Sequence, residues 1–173
     1  MSFSAAVTAA NATPGVPDTI LVAAGVHTGV GQVVISDDLT IIGADPATTT
    51  IVPTASTTFD GAGGDTRGWF LVSAGNKIVI KNLTFDGAGF DIAQAIRSYG
   101  KGSYYNCTFM NIGQPSFGPY YGRGVVTTNA SATINACTFR NIGRIHAYFY
   151  GPATVGSLVI GCTFQGSEAK MLV

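Results

Sequence analysis

The chain has 173 residues, 46% of them hydrophobic and 10% charged, and nine basic residues balance nine acidic ones. That is the scale of one domain with a full core. A sparsely charged, neutral chain excludes electrostatic steering to nucleic acid or to an anionic membrane. No run approaches the roughly 18 apolar residues of a membrane span. Residues 1–10 lack the basic segment and long apolar run of a secretory signal, so a signal would have to lie outside this sequence.

In chain order, residues 4–11 read as a short helix within an N-terminal cap over 1–12. Asp38-Leu39-Thr40-Ile41-Ile42-Gly43 then reads as the first copy of a phrase that returns four times. The later copies are Asn82-Leu83-Thr84-Phe85-Asp86-Gly87, Asn106-Cys107-Thr108-Phe109-Met110-Asn111, Ala136-Cys137-Thr138-Phe139-Arg140-Asn141 and Gly161-Cys162-Thr163-Phe164-Gln165-Gly166. Repeats at intervals of about 20–50 residues signal solenoids, propellers or arrays. Within each copy the two-residue period of a strand sends Leu or Cys and then Phe or Ile to one face and Thr to the other. Gly or Asn closes each copy, the residue types that most readily take the left-handed conformation of a sharp bend.

Between the copies lie further strands: Trp69-Phe70-Leu71-Val72, Ile78-Val79-Ile80, Gly124-Val125-Val126-Thr127, Thr133-Ile134 and Leu158-Val159-Ile160. Strands this short are stable only when stacked about 4.8 Å apart, each pairing with the coils above and below. The expected architecture is all-β: a right-handed parallel β-helix of about four to six coils in a single domain over 1–173. Residues 57–68 are expected as a surface loop, with Thr50-Ile51-Val52 in the same coil as Leu39, in preference to an extra narrow coil. Residues 165–173 form the C-terminal tail.

The opening stretch carries Phe3-Ser4-Ala5-Ala6-Val7, then Pro14-Gly15-Val16-Pro17-Asp18-Thr19-Ile20-Leu21-Val22, then Leu39-Thr40-Ile41-Ile42-Gly43. It resembles the start of pectate-lyase-like right-handed β-helix proteins. The resemblance implies a short helix that caps the open end and a Pro-Gly-Asp-Thr-Ile turn and strand that begin the first coil. It is specific for fold and not for activity. A pectate lyase would have clustered carboxylates that hold calcium and a nearby basic residue. Here Asp86 and Arg140 share one column with Met110 between them and no second acid. Asp37 and Asp38 are neighbours that face apart, unlike a hydrolase acid pair. An enzyme is therefore not the favoured reading, and no cofactor is expected. Calcium at the paired carboxylates Asp60/Asp65 or Asp86/Asp91 is weighed and set behind a turn role. His27 and His146 have no partner at metal-ligand spacing.

The threonine column reads as ordinary β-branched strand surface, since the column two residues on is Ile42, Asp86, Met110, Arg140 and Gln165. Cys107, Cys137 and Cys162 are expected to be reduced in one inward file. The remaining candidates are aromatic and basic: Tyr120, Tyr121, Arg123, Arg144, His146, Tyr148 and Tyr150, on two neighbouring coils. Tyrosine rings would stack on sugars and arginines would grip a carboxylate. The expected function is a non-catalytic or vestigial polysaccharide-associated module that binds an acidic glycan at the cell surface or outside the cell. The alternatives are a structural or adhesive solenoid and a fragment of a lyase-like enzyme. The tail, ending in Met171-Leu172-Val173, suggests end-to-end pairing into a homodimer.

Overall fold

In a computed structural model, described for residues 2–28, 31–87, 89–118, 121–166 and 171–172, the chain winds through six rungs of a right-handed parallel β-helix. Each rung gives one strand to each of three parallel sheets. The first sheet stacks Asp18–Val22, Leu39–Gly43, Lys77–Lys81, Lys101–Tyr105, Ala132–Asn135 and Leu158–Ile160. The second stacks Gly25–Thr28, Thr49–Val52, Thr84–Asp86, Thr108–Ile112, Thr138–Ile142 and Thr163–Gln165. The third stacks Val33–Ile35, Gly68–Val72, Gln94–Ser98, Arg123–Thr128, Ile145–Tyr150 and Met171–Leu172.

Four of the five repeated phrases are in register, with Thr84, Thr108, Thr138 and Thr163 on one column of the second sheet. The phrase at 38–43 is not a fifth copy. Leu39–Gly43 lies on the first sheet with Thr40 beside Val79, and the true counterpart is Thr49–Val52, where Thr50 meets Thr84 and Ile51 meets Phe85. Leu-Thr-Ile-Ile alternates inward and outward as the true copies do, and alternation alone cannot assign a strand to one of three walls. Residues 53–67 join the second sheet to the third within the same rung and carry two 3-10 turns, Asp60–Ala62 and Asp65–Arg67.

The repeat works through its bend. Asn82, Asn106, Ala136 and Gly161 take φ of 57°, 49°, 51° and 59°, a left-handed step between first and second sheets in each of the last four rungs. Because this corner has the same length each time, the side chains after it fall into files. Leu83, Cys107 and Cys137 are buried and Cys162 packs against the same core. All three cysteines are free thiols. Burial pushes the Cys107 thiol well above its ordinary range. Phe85, Phe109, Phe139 and Phe164 stack with centroids 5.0, 5.0 and 5.4 Å apart and nearly parallel rings. Aromatic pairs add about 0.5–1.5 kcal/mol each beyond their area burial.

The N-terminal helix, Phe3–Ala10, is capped by Ser2, whose Oγ accepts from the Ala5 N–H at 3.2 Å, and it buries Phe3, Val7 and Ala10. Phe3 meets Phe70 at 5.8 Å, so the helix closes the first rung. At the sixth rung Leu158, Ile160 and Phe164 are exposed. Among the described residues no helix is long and apolar enough to cross a membrane.

The third sheet departs from simple alternation. Trp69 and Phe70, Ala95 and Ile96, Gly124 and Val125, and His146 and Ala147 are consecutive residues that are both buried. The paired register joins the columns on either side of Trp69, Ala95 and Gly124 and skips that column itself. A bend there puts two successive residues inside and leaves the one before them, Gln94 or Arg123, on the outer side. Gly124 is required at this bend, since a Cβ would stand 2.4 Å from the His146 carbonyl oxygen and 2.8 Å from the Phe139 ring.

Candidate functional site

Outside the bend, residues 53–67 run along the solenoid and are fastened to successive rungs. The Thr57 N–H donates to Asp91 O at 2.9 Å, and Thr57 Oγ1 accepts from the Ala93 N–H at 2.8 Å. One rung on, the Gln114 side chain accepts from the Asp60 N–H at 2.9 Å and donates to Thr58 O at 3.2 Å. These bonds deliver the Asp60 carboxylate, 3% exposed, to the outer side of the third sheet.

Three guanidinium groups converge on that carboxylate. Arg123 Nη1 lies 2.5 Å from Oδ1, Arg67 Nη1 lies 3.6 Å from Oδ1, and Arg144 Nη1 lies 3.9 Å from Oδ2. Gln94 Nε2 donates to Oδ1 at 3.3 Å. Next to them, Arg97 Nε and the Tyr99 hydroxyl donate to Asp65 Oδ1 at 3.2 and 2.6 Å, and Arg97 also donates to the Tyr99 oxygen. The Tyr99 hydrogen bond, assisted by Arg97, holds the Asp65 carboxyl below its usual range. Four of the chain's five arginines thus meet two carboxylates, an excess of two positive charges on a protein of zero net charge.

The arginines are not equivalent. Arg123 is 12% exposed, burial pulls its pKa down while Asp60 pushes it back up, and its Nε has no hydrogen-bond partner among the described residues. Its guanidinium also lies 5.8 Å from the Tyr148 ring centroid. Arg67 is tied to Gly64 O at 2.8 Å and to Asp60 O at 3.2 Å. Arg144 is 48% exposed and holds Asp60 only at the longest distance, so its guanidinium is the one open to an outside partner.

Of the residues singled out from the sequence, Arg123, Arg144 and Tyr148 meet here. Tyr121 stands beside them, edge-on to Phe59 at 4.9 Å, and Phe59 stacks on Phe117 at 4.5 Å. Tyr150 is exposed and 6.1 Å from Tyr148. Tyr120 lies outside the described residues. His146 is corrected: it is 1% exposed, edge-on to Phe139 and Phe164, and belongs to the core because the bend turns its column inward. Asp60, Arg67, Phe59, Gln94 and Gln114 were missed as members of this group. The carboxylates Asp60 and Asp65, weighed above as calcium ligands, each face guanidinium groups, a setting that repels a cation. Asp86 and Arg140 do share a column with Met110 between them. Asp86 accepts from Asn111 Nδ2 at 2.8 Å.

At the corner between second and third sheets an open groove of about 730 Å³ crosses four rungs. Its floor holds Gly87, Asn111, Asn141 and Gly166, one from each rung, and its walls include Phe90 and Tyr121. Gln114 lines it too, so the groove and the arginine cluster share a wall.

No family model matches the sequence, and no curated protein does. Among solved structures the chain is similar to the catalytic domain of a GH87 alpha-1,3-glucanase in complex with nigerose, with a TM-score of 0.54 and 13% identity. The match covers 99% of this chain and 37% of that one, so the chain spans little more than a third of the structure it resembles. The likeness is one of fold: both are parallel β-helices.

Proposed function

We propose that this β-helix is a polysaccharide-binding module, not itself a lyase or hydrolase, that holds a carboxylate-bearing glycan at Arg144. The observation that carries this reading is the convergence of three arginines on one buried carboxylate, with Arg144 half-exposed and weakly committed. A planar guanidinium pairs with a carboxylate through two parallel hydrogen bonds, which suits a uronate better than a neutral sugar. Exposed aromatic faces at Phe117 and Tyr150 offer stacking surfaces nearby. The likeness to a glucanase catalytic domain is the reason a polysaccharide is tested first. On this reading the protein works outside the cell or at its surface, where such polymers are met.

Affinity electrophoresis through gels containing glucuronoxylan tests it. Arg144→Gln is expected to weaken retention roughly tenfold, the worth of one charge-assisted contact, with an unchanged Tm because Arg144 is half-exposed. If the parent protein migrates freely, or Arg144→Gln is retained equally, a purely structural solenoid takes its place. The exposed Leu158, Ile160 and Phe164 of the sixth rung support the homodimer proposal. Light scattering that gives a single-chain mass at high concentration would end it.

A further inference from the structure

We propose that the groove between the second and third sheets binds the neutral sugars next to that acidic residue, so that the ligand is a glycan with isolated carboxylates and not a continuous polyanion. This rests on the reading above and adds the path and charge pattern of the ligand.

Three features of the groove carry the inference. Its floor repeats: Gly87, Asn111, Asn141 and Gly166 each follow directly on paired residues of the second sheet, one per rung. Three rung steps of about 4.8 Å make a floor of about 14 Å. An extended pyranose chain along the solenoid axis therefore meets one floor residue at each step, an amide at the middle two and a glycine at the outer two. The lining is amide, glycine and aromatic, which suits hydroxyl groups and sugar faces. Asn141 Nδ2 donates to Asn111 Oδ1 at 2.7 Å and Asn111 Nδ2 to Asp86 Oδ1, an oriented row of amides along the floor.

The third feature is charge. Among the described residues the one carboxylate lining the groove is Asp91, whose Oδ1 accepts from the Ser116 N–H at 3.1 Å, and no Lys, Arg or His lines it. Arg144 follows Gly143, which lines the groove at the fifth rung. A carboxylate on every sugar would bring like charge to Asp91. A single carboxylate at the Arg144 end would not.

Calorimetric titration with three probes tests this: xylotriose carrying one glucuronosyl residue, unsubstituted xylotetraose, and tetragalacturonate. The singly charged probe should bind most tightly. Asp91→Asn keeps the Ser116 contact and removes the charge, and should raise tetragalacturonate affinity roughly fivefold, the scale of one partly screened charge pair, with little change for the singly charged probe. Asn141→Gly keeps the left-handed φ of 53° and removes the amide, and should weaken the singly charged probe several-fold. The control is Asn106→Gly, at φ 49°, which breaks the same kind of amide pair, Asn106 to Asn82 at 3.0 Å, outside the groove lining. It should leave binding unchanged. The proposal falls if tetragalacturonate binds the parent as tightly as the singly charged probe. It falls too if Asp91→Asn leaves the ratio of the two unaltered, or if Asn141→Gly and Asn106→Gly behave alike. If Arg144→Gln abolishes binding while the groove variants do nothing, the acidic-glycan reading stands and this inference fails. If no probe binds the parent, both fail.

Discussion

The two corners that flank the second sheet are built on opposite principles. In the last four rungs the corner from the first sheet is a left-handed step at 82–83, 106–107, 136–137 and 161–162, two residues each time, whereas the second rung uses the longer 44–48. The corner to the third sheet spans 53–67, 87–93, 113–122 and 143–144, different in each rung. The constant corner keeps the phase of the chain, so Cys and Phe files stack behind it. The variable corner has no such duty, and there the protein collects Asp60, its arginines and the groove. Regularity sustains the core, and departure from it supplies recognition chemistry.

The largest expected effect is a break in what the constant corner phases. Phe109 is fully buried and stacked on Phe85 and Phe139. Phe109→Ala should lower the unfolding free energy by about 3–5 kcal/mol, read from urea denaturation. A loss under 1 kcal/mol would mean that the file is not what holds the rungs together.

The variable corner should come next. Asp60→Asn leaves Arg123 buried without its counter-charge, and removing one partner of a buried pair costs about 3–5 kcal/mol. The lower end is expected, because Gln94, its neighbour in the strand register, and the Tyr148 ring remain beside it. Limited proteolysis should then cut within 53–67 before elsewhere. If the variant is as stable and as resistant as the parent, that corner is held by its backbone contacts alone.

A smaller effect sharpens the comparison from the other side. Ala136 occupies the left-handed step at φ 51° where Asn82 and Asn106 stand in other rungs. Left-handed backbone costs a side chain with a Cβ about 1–2 kcal/mol, partly offset by the greater unfolded freedom of glycine. Ala136→Gly should therefore stabilise by about 0.5–1 kcal/mol, visible as a rise in Tm.

The smallest effect is confined to alkaline pH. Burial pushes the Tyr104 phenol well above its ordinary range. The unfolded chain releases this proton near pH 10 while the folded protein keeps it. The associated stability is therefore whole below about pH 10 and is lost as pH rises from there towards the raised folded value. The Tyr104 hydroxyl has no hydrogen-bond partner among the described residues, and the neighbouring Ser98 donates to Gly100 O instead. Tyr104→Phe should thus leave neutral-pH stability unchanged or slightly higher and flatten part of the alkaline fall. An unchanged alkaline limb would place the titration elsewhere.

The sequence by itself determined the solenoid and the inward Cys and Phe files, because each depends on neighbours two to five residues apart that recur along the chain. Of the left-handed bends expected at the close of each copy, Asn111, Asn141 and Gly166 take one and Gly43 and Gly87 do not, while the step common to four rungs stands just before the copy. It also brought Arg123, Arg144 and Tyr148 to adjacent rungs, since the repeat counts rungs. It misassigned the strand at 39–43, whose alternation fits any of the three walls. Only the tertiary structure decided that Asp60 reaches across three rungs to Gln94, Arg123 and Arg144. It alone also turned His146 inward at the bend of the third sheet. Both depend on how a variable corner folds against rungs distant in the chain, where no period constrains it and charge pairing and backbone shape choose the partners.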